Sequence, residues 1–260
     1  VSGTRPLRFA LPSSAGADAE GRTAQLRAFL GKALSREVEV LAPASSGQLA
    51  RELLAGTVDA AWAPPLVCAR IEAMGVRVLV RSQRRGASTI RAALVCRRDS
   101  AVTLDTLTGS SAAWADRDSV GGYLLAMAFL HERGQDPGKT FSTQAFLGSD
   151  RASLQAVLEG RADVASVAAS HGATGLEDAW PEQAQAFRVL GYTADAPHDG
   201  VAVSMSASPA LVTELEKAFL GMHHGPAGAQ LLADCFHAER FEAAPRMGYR
   251  ALYRVALASL

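Results

Sequence analysis

Apolar residues along this chain come in short runs, and the runs alternate with stretches that are apolar on one side only. Residues 7–11 alternate and end in Pro12, Ser13 and Ser14, which predicts a strand and then a loop. Over residues 23–33, Leu26, Phe29, Leu30 and Ala33 fall at helical spacing. Residues 38–41 predict a short strand. Ser45 and Ser46 cap a helix to residue 54 that Gly56 stops, and a strand follows over 58–62. Pro64 and Pro65 open a further helix, with a strand at 76–81. This alternation predicts an α/β fold with a largely parallel sheet.

The second half repeats the theme. A long apolar strand over 90–97 leads through a turn at Asp99 and Ser100 to a helical turn at 104–109 and a strand at 112–114. The helix over 123–131 is apolar nearly throughout and ends at Gly134. A strand at 141–146, a helix at 150–158 stopped by Gly160, and strands at 163–167, 187–192 and 201–205 follow. The chain closes on helices over 209–220, 226–236 and 249–259.

One internal similarity stands out. LLAGTVDAA from Leu53 resembles VLEGRADVA from Val157, pairing Gly56 with Gly160 and Asp59 with Asp163 at a shift of 104 residues. Each Gly can end a helix in a left-handed conformation, and each Asp opens the next strand. The expectation is two lobes of related design. Lobe 1 takes residues 1–89 plus 206–260, lobe 2 takes 98–198, and 90–97 with 199–205 serve as hinge strands.

Composition narrows the functions. Lys plus Arg and Asp plus Glu both number 26, so formal net charge is zero and nothing favours a nucleic-acid partner. Cys68, Cys96 and Cys235 form no CxxC, and the first two lie in apolar runs that suit buried thiols. No apolar run is long enough to span a membrane. The polar start lacks the apolar core of a secretory signal. The protein is then periplasmic if a signal peptide was removed, and otherwise cytoplasmic.

In open α/β sheets, ligands bind beyond the carboxyl ends of strands, where helix N-termini present unpaired N–H groups. Four junctions carry small polar residues there: Ser13, Ser45 with Ser46, Ser119 through Gly122, and Ser149 with Asp150. Two lie in each expected lobe, as facing walls of a cleft. The Ser119 junction is the most specific, because Gly121 and Gly122 would let a ligand approach the backbone. Trp62, at a strand end, is a candidate ligand platform or a core residue. GxSxG, HExxH and a phosphate-binding Gly-rich loop are absent from the sequence, and no cofactor or metal is implied.

Taken in order, GTVDAAW from Gly56, RDS at Arg98, LDTLTG from Leu104, DSVGGYL from Asp118, GSD at Gly148, AVLEGRAD from Ala156 and DGVAV from Asp199 form a pattern. The chain resembles the phosphate/phosphite/phosphonate-binding proteins of ABC transporters, and the resemblance covers nearly its whole length. It implies the two-lobed type II periplasmic binding fold. The family's hydroxyl-rich phosphonate loop falls on Ser119, Val120, Gly121 and Gly122, with two hydroxyls lost. Its two binding tyrosines fall on Ser46 and Ile90, its histidine on Asp150, and its two amino-group acids on Ser170 and Asp199. An acid at 150 sets a negative charge where an oxyanion would bind, which costs several kcal/mol, to order of magnitude, unless a proton or cation intervenes. Arg91 is a candidate replacement cation.

The resemblance implies a monomeric solute-binding protein that captures a small polar ligand, oxyanionic or zwitterionic, for an ABC permease or a sensor protein. The expected ligand contacts are Ser13, Ser46, Trp62, Ile90, Ser119, Val120, Gly121, Asp150 and Asp199. Two other readings stand beside it. One is an enzyme on the same fold, dehydratase-like, with Asp150 as base. The other is a degenerate member that acts through protein contacts.

Overall fold

A computed structural model describes residues 5–12, 19–169, 171, 176 and 180–258. The elements up to the first passage between units are β1 (Leu7–Ala10), α1 (Ala19–Leu34), β2 (Val38–Leu41), α2 (Ser46–Ala55), β3 (Ala60–Ala63), α3 (Pro65–Ala73) and β4 (Arg77–Gln83). Then come β5 (Thr89–Arg97), β6 (Ser111–Trp114), α4 (Leu125–Glu132), α5 (Pro137–Thr140), β7 (Thr143–Phe146), α6 (Asp150–Leu158), β8 (Val164–Ala169) and β9 (Phe187–Tyr192). The rest is β10 (Ala196–Pro197), β11 (Gly200–Val203), α7 (Pro209–Leu220), α8 (Pro226–Phe236), β12 (Arg240–Ala243) and α9 (Tyr253–Ala258).

The chain divides into two compact units. One holds Val1–Thr89 and Pro197–Tyr253, the other Ile90–Ala196 and Arg254–Leu260. Each has its own six-stranded sheet. The first runs β12-β4-β11-β3-β1-β2; the second runs β10-β5-β8-β6-β7, with β9 also on β5. In each sheet four strands run the same way, as the alternation of elements predicted, but an antiparallel strand divides them. In the first, β2, β1 and β3 are parallel, but β11 enters antiparallel between β3 and β4. In the second, β7, β6 and β8 are parallel, and β5 enters antiparallel between β8 and β9. A local βαβ pattern orients neighbouring units of a sheet, but it has no information about a strand inserted from elsewhere in the chain.

Of the expected hinge strands, residues 90–97 fall in β5, and β11 takes Gly200–Val203 from 199–205. The last residues were expected with lobe 1, yet Arg254–Leu260 count with the second unit. Val255 packs on the apolar cluster around Trp114 and Leu130, and Arg254 Nη1 donates to the His131 carbonyl.

The paired motifs occupy equivalent places. Gly56 ends α2 at φ 71°, and Gly160 follows α6 at φ 72°. Asp59 N–H donates to the Arg8 carbonyl at 2.9 Å, and its carboxylate accepts from Arg8 N–H at 2.8 Å. Asp163 does the same with Ser111, at 3.0 Å and 2.7 Å. Both acids thus clamp the amino ends of two adjacent parallel strands, opposite the carboxyl edge of each sheet.

The cores explain the apolar runs. In the first unit Phe9, Trp62, Phe219, Phe236 and Phe241 pack together under the sheet. In the second, residues 125–130 are buried on every side, so α4 has no polar face.

Candidate ligand-binding site

The carboxyl edge of the second sheet gathers several of the expected residues. The chain leaves β6 at Trp114 and turns through Asp116 to Ser119, whose Oγ accepts from Gly122 N–H at 3.0 Å. Residues Val120–Leu124 form a π-helical turn that continues directly into α4. Such turns are frequent at functional sites. The amides of Val120 and Gly121 precede the first helical bond and point out of this N-terminus. With Oγ occupied as an acceptor, the Ser119 hydroxyl keeps its proton for another partner.

Asp150 opens α6 beside it, after the N-cap Ser149. Its Oδ2 accepts from Ala168 N–H at 3.0 Å, at the end of β8. Its Oδ1 and the Ser119 Oγ each lie 2.7 Å from the point where a Cβ on Gly122 would stand. Ser119 and Asp150 therefore converge over the Gly122 backbone. Asp150 has no ion-pair partner among the described residues. Burial raises its carboxyl above the ordinary value, against the lowering effect of the Ala168 N–H.

The two glycines serve a different purpose from the one expected of them. A Cβ on Gly121 would stand 2.8 Å from the Ala168 Cα, and one on Gly122 would stand 2.5 Å from the Ala115 Cβ. On the side each Cβ would take, protein makes the close approach. Ser166 Oγ adds a buried hydrogen bond to the Gly121 carbonyl at 2.7 Å, which pins the turn onto β8.

The other expected contacts divide. Ser13 and Ser170 lie outside the described residues. Ser46 is exposed at the start of α2, whose cap is Ser45 through Gln48 N–H. Ile90 is half-buried at the start of β5. Trp62 is no platform. It is 8% exposed and edge-on to Phe236 and Phe241, with ring centroids at 5.1 and 5.7 Å. Asp199 is already paired with Arg84 at 2.5 Å, and Arg84 also donates to the last carbonyls of α8 at Phe236 and His237. An amino group would have to compete with that guanidinium. Arg91 lies over the Tyr192 ring at 3.9 Å.

Two residues that the sequence reading passed over stand at the same edge. Arg117 lies over Phe146 at 4.4 Å and Arg151 over Trp180 at 5.0 Å. Their ring partners lie well away in the sequence, so no local pattern marked them. A groove of about 790 Å³ between α1 and α8 in the first unit is walled mainly by apolar residues such as Phe29, Met222 and Leu231. Its polar lining is Gln25, Lys32 and Gln230.

Two units of one topology, each a mixed sheet with a helix N-terminus at its carboxyl edge, define the class of periplasmic binding proteins. The chain belongs to the family described as ABC transporter, phosphonate, periplasmic substrate-binding protein, whose model matches residues 9–249. It is a solute-binding protein, with a small-molecule ligand and an ABC permease as partners. No helix among the described residues is long and apolar enough to cross a membrane. Similar solved structures include XAC2383 from Xanthomonas citri bound to ATP, 21% identical over 98% of this chain and 96% of that one, with a TM-score of 0.74. PhnD1 from Prochlorococcus marinus in complex with methylphosphonate is 17% identical over 97% of each chain, TM-score 0.61. A binding protein component of an ABC phosphonate transporter from Pseudomonas aeruginosa is 17% identical over 99% and 96%, TM-score 0.58. These likenesses are of fold.

Proposed function

We propose that this protein captures a small zwitterionic solute reversibly, as a monomer in the periplasm, and delivers it to its permease without chemical turnover. Its ligand pairs an oxyanion with a protonated amine. The oxyanion takes the Ser119 hydroxyl and the amides of Val120 and Gly121, at a helix N-terminus whose dipole favours negative charge. The amine faces Asp150. The observation that carries this reading is the half-buried, ion-unpaired Asp150 carboxylate converging with Ser119 over Gly122. A dianion alone would meet a like charge there. The two neighbours described with phosphonate and ATP support the oxyanion half.

Calorimetry with aminoethylphosphonate and its deaminated analogue, ethylphosphonate, tests the reading. The amino compound should bind at least ~10-fold tighter, about 1.4 kcal/mol, with ethylphosphonate weaker than ~100 μM. Asp150→Asn should bring the two within about 2-fold, or roughly 0.4 kcal/mol. Submicromolar ethylphosphonate binding by the unaltered protein sinks the reading. Conversion of either compound on prolonged incubation would instead favour the dehydratase-like enzyme, with Asp150 as its base.

A further inference from the structure

We propose that the groove between α1 and α8 of the first unit is a second binding site, which takes a free single-chain amphiphile with a carboxylate head. The inference goes beyond the solute-binding reading and shares no residue with it, so it stands if that reading falls.

Two helix ridges wall the groove. Along α1, Gln25, Phe29 and Ala33 recur every fourth residue, with Ala28 and Lys32 on the next ridge. The core side of the same helix is supplied by Leu26, Leu30 and Leu34, all buried. Apolar positions therefore continue round α1 beyond what the core uses: Ala28 and Ala33 are exposed and Phe29 is half-buried. Opposite, Pro226 and Ala227 open α8 and are exposed as well. Met222 and Leu231 belong to the buried core cluster and also line the groove.

Two glycines on the α8 side differ in kind. A Cβ on Gly228 would strike the Met222 carbonyl, so packing requires that glycine. Packing does not require Gly225. Its φ of −127° suits any residue, and a Cβ there would meet no atom within 4 Å. Its missing side chain leaves space at the groove.

Charge selects the occupant. The lining holds one cation, Lys32, and no acid. Lys32 has no ion-pair partner among the described residues, whereas Arg36, one turn further on, is paired with Glu214. An apolar trough with a single ammonium at its rim suits a hydrocarbon chain that ends in a carboxylate. The chain lies between the ridges, and Lys32 takes the head while its own methylenes cover part of the chain.

Calorimetry of the full chain with decanoate, below its micelle concentration, tests the site. Decanoate should bind saturably, and octanoate ~10-fold more weakly, since each buried methylene multiplies affinity about 4-fold. Lys32 is exposed, so Lys32→Glu should fold normally. It should weaken decanoate ~3-fold or more and favour decyltrimethylammonium instead. Gly225→Phe, which sets a ring in the open space, should keep its melting temperature and weaken decanoate at least ~10-fold, whereas Gly225→Ala should not. Absence of saturable decanoate binding overturns the proposal, as does unchanged decanoate affinity in the folded Gly225→Phe variant. A dimer in sedimentation that Gly225→Phe splits and decanoate does not would give the groove to a second copy, and so overturn it too. Failure of aminoethylphosphonate to bind while decanoate binds removes the zwitterion reading and leaves the groove site standing. The reverse pattern removes the groove site alone.

Discussion

The carboxyl edges of the two sheets treat positive charge in opposite ways. In the first unit, Arg84 is spent on Asp199 and on the end of α8, and Arg81 lies 3.9 Å from Glu242. In the second, Arg117 and Arg151 lie on aromatic rings, and the nearby acid, Asp150, is bonded to a backbone amide. The topologies match and both amino ends carry the same Asp clamp. A shared scaffold therefore constrains the strand order and the amino ends, while the carboxyl edges are free to diverge. One edge pairs its cations with acids; the other sets its cations on rings and its acid on a backbone amide.

Three tests sharpen this contrast. The largest effect belongs to Gly121→Val, which would drive side-chain atoms into the β8 backbone. It should cost about 3 kcal/mol or more by denaturant unfolding, as overpacking of a closed contact does. A variant of near-normal stability would show that the second edge is looser than its contacts indicate.

The next compares the clamps directly. Asp59 is 5% exposed and holds both Arg8 N–H and Arg5, whereas Asp163 is exposed. Asp59→Ala should cost roughly 2–3 kcal/mol and Asp163→Ala about 1, because an orphaned donor hurts more where water cannot reach it. Equal costs measured in parallel melts would deny the two clamps their difference in burial.

The smallest effect concerns the charge on Asp150. Its carboxyl is raised by burial, so the folded state holds the proton more tightly than the unfolded chain. Its contribution to stability therefore falls as pH rises from the ordinary carboxylate range through the raised value. Asp150→Asn should melt higher than the unaltered protein at neutral pH, with the gap closing below about pH 4. A gap that widens on acidification would reverse the sign and show a carboxylate stabilised by its surroundings.

Much of the scaffold was legible because its causes are local. Ser45 caps α2 and Gly56 ends it through hydrogen bonds within a few residues, and both read directly from sequence. The DSVGG junction was legible for the same reason, and Ser119 does cap its turn. The role of its glycines was not, since the atoms they make room for belong to Ala168 and Ala115. Trp62 reads as a platform or as core from its own neighbourhood; Phe236 and Phe241, from the far end of the chain, decide for core.

By itself, then, the sequence determined the order of helices and strands, the doubling of the design, the family and the acid at position 150, because hydrophobic period, caps and motifs act over a few residues. Tertiary structure alone decided that β5 and β11 run antiparallel inside the two sheets, that Arg84 neutralises Asp199, and that Arg117 and Arg151 rest on rings. Each of those depends on partners remote along the chain. Side-chain charges and rings gain their meaning from what folding brings within a few ångströms, and no local pattern carries that.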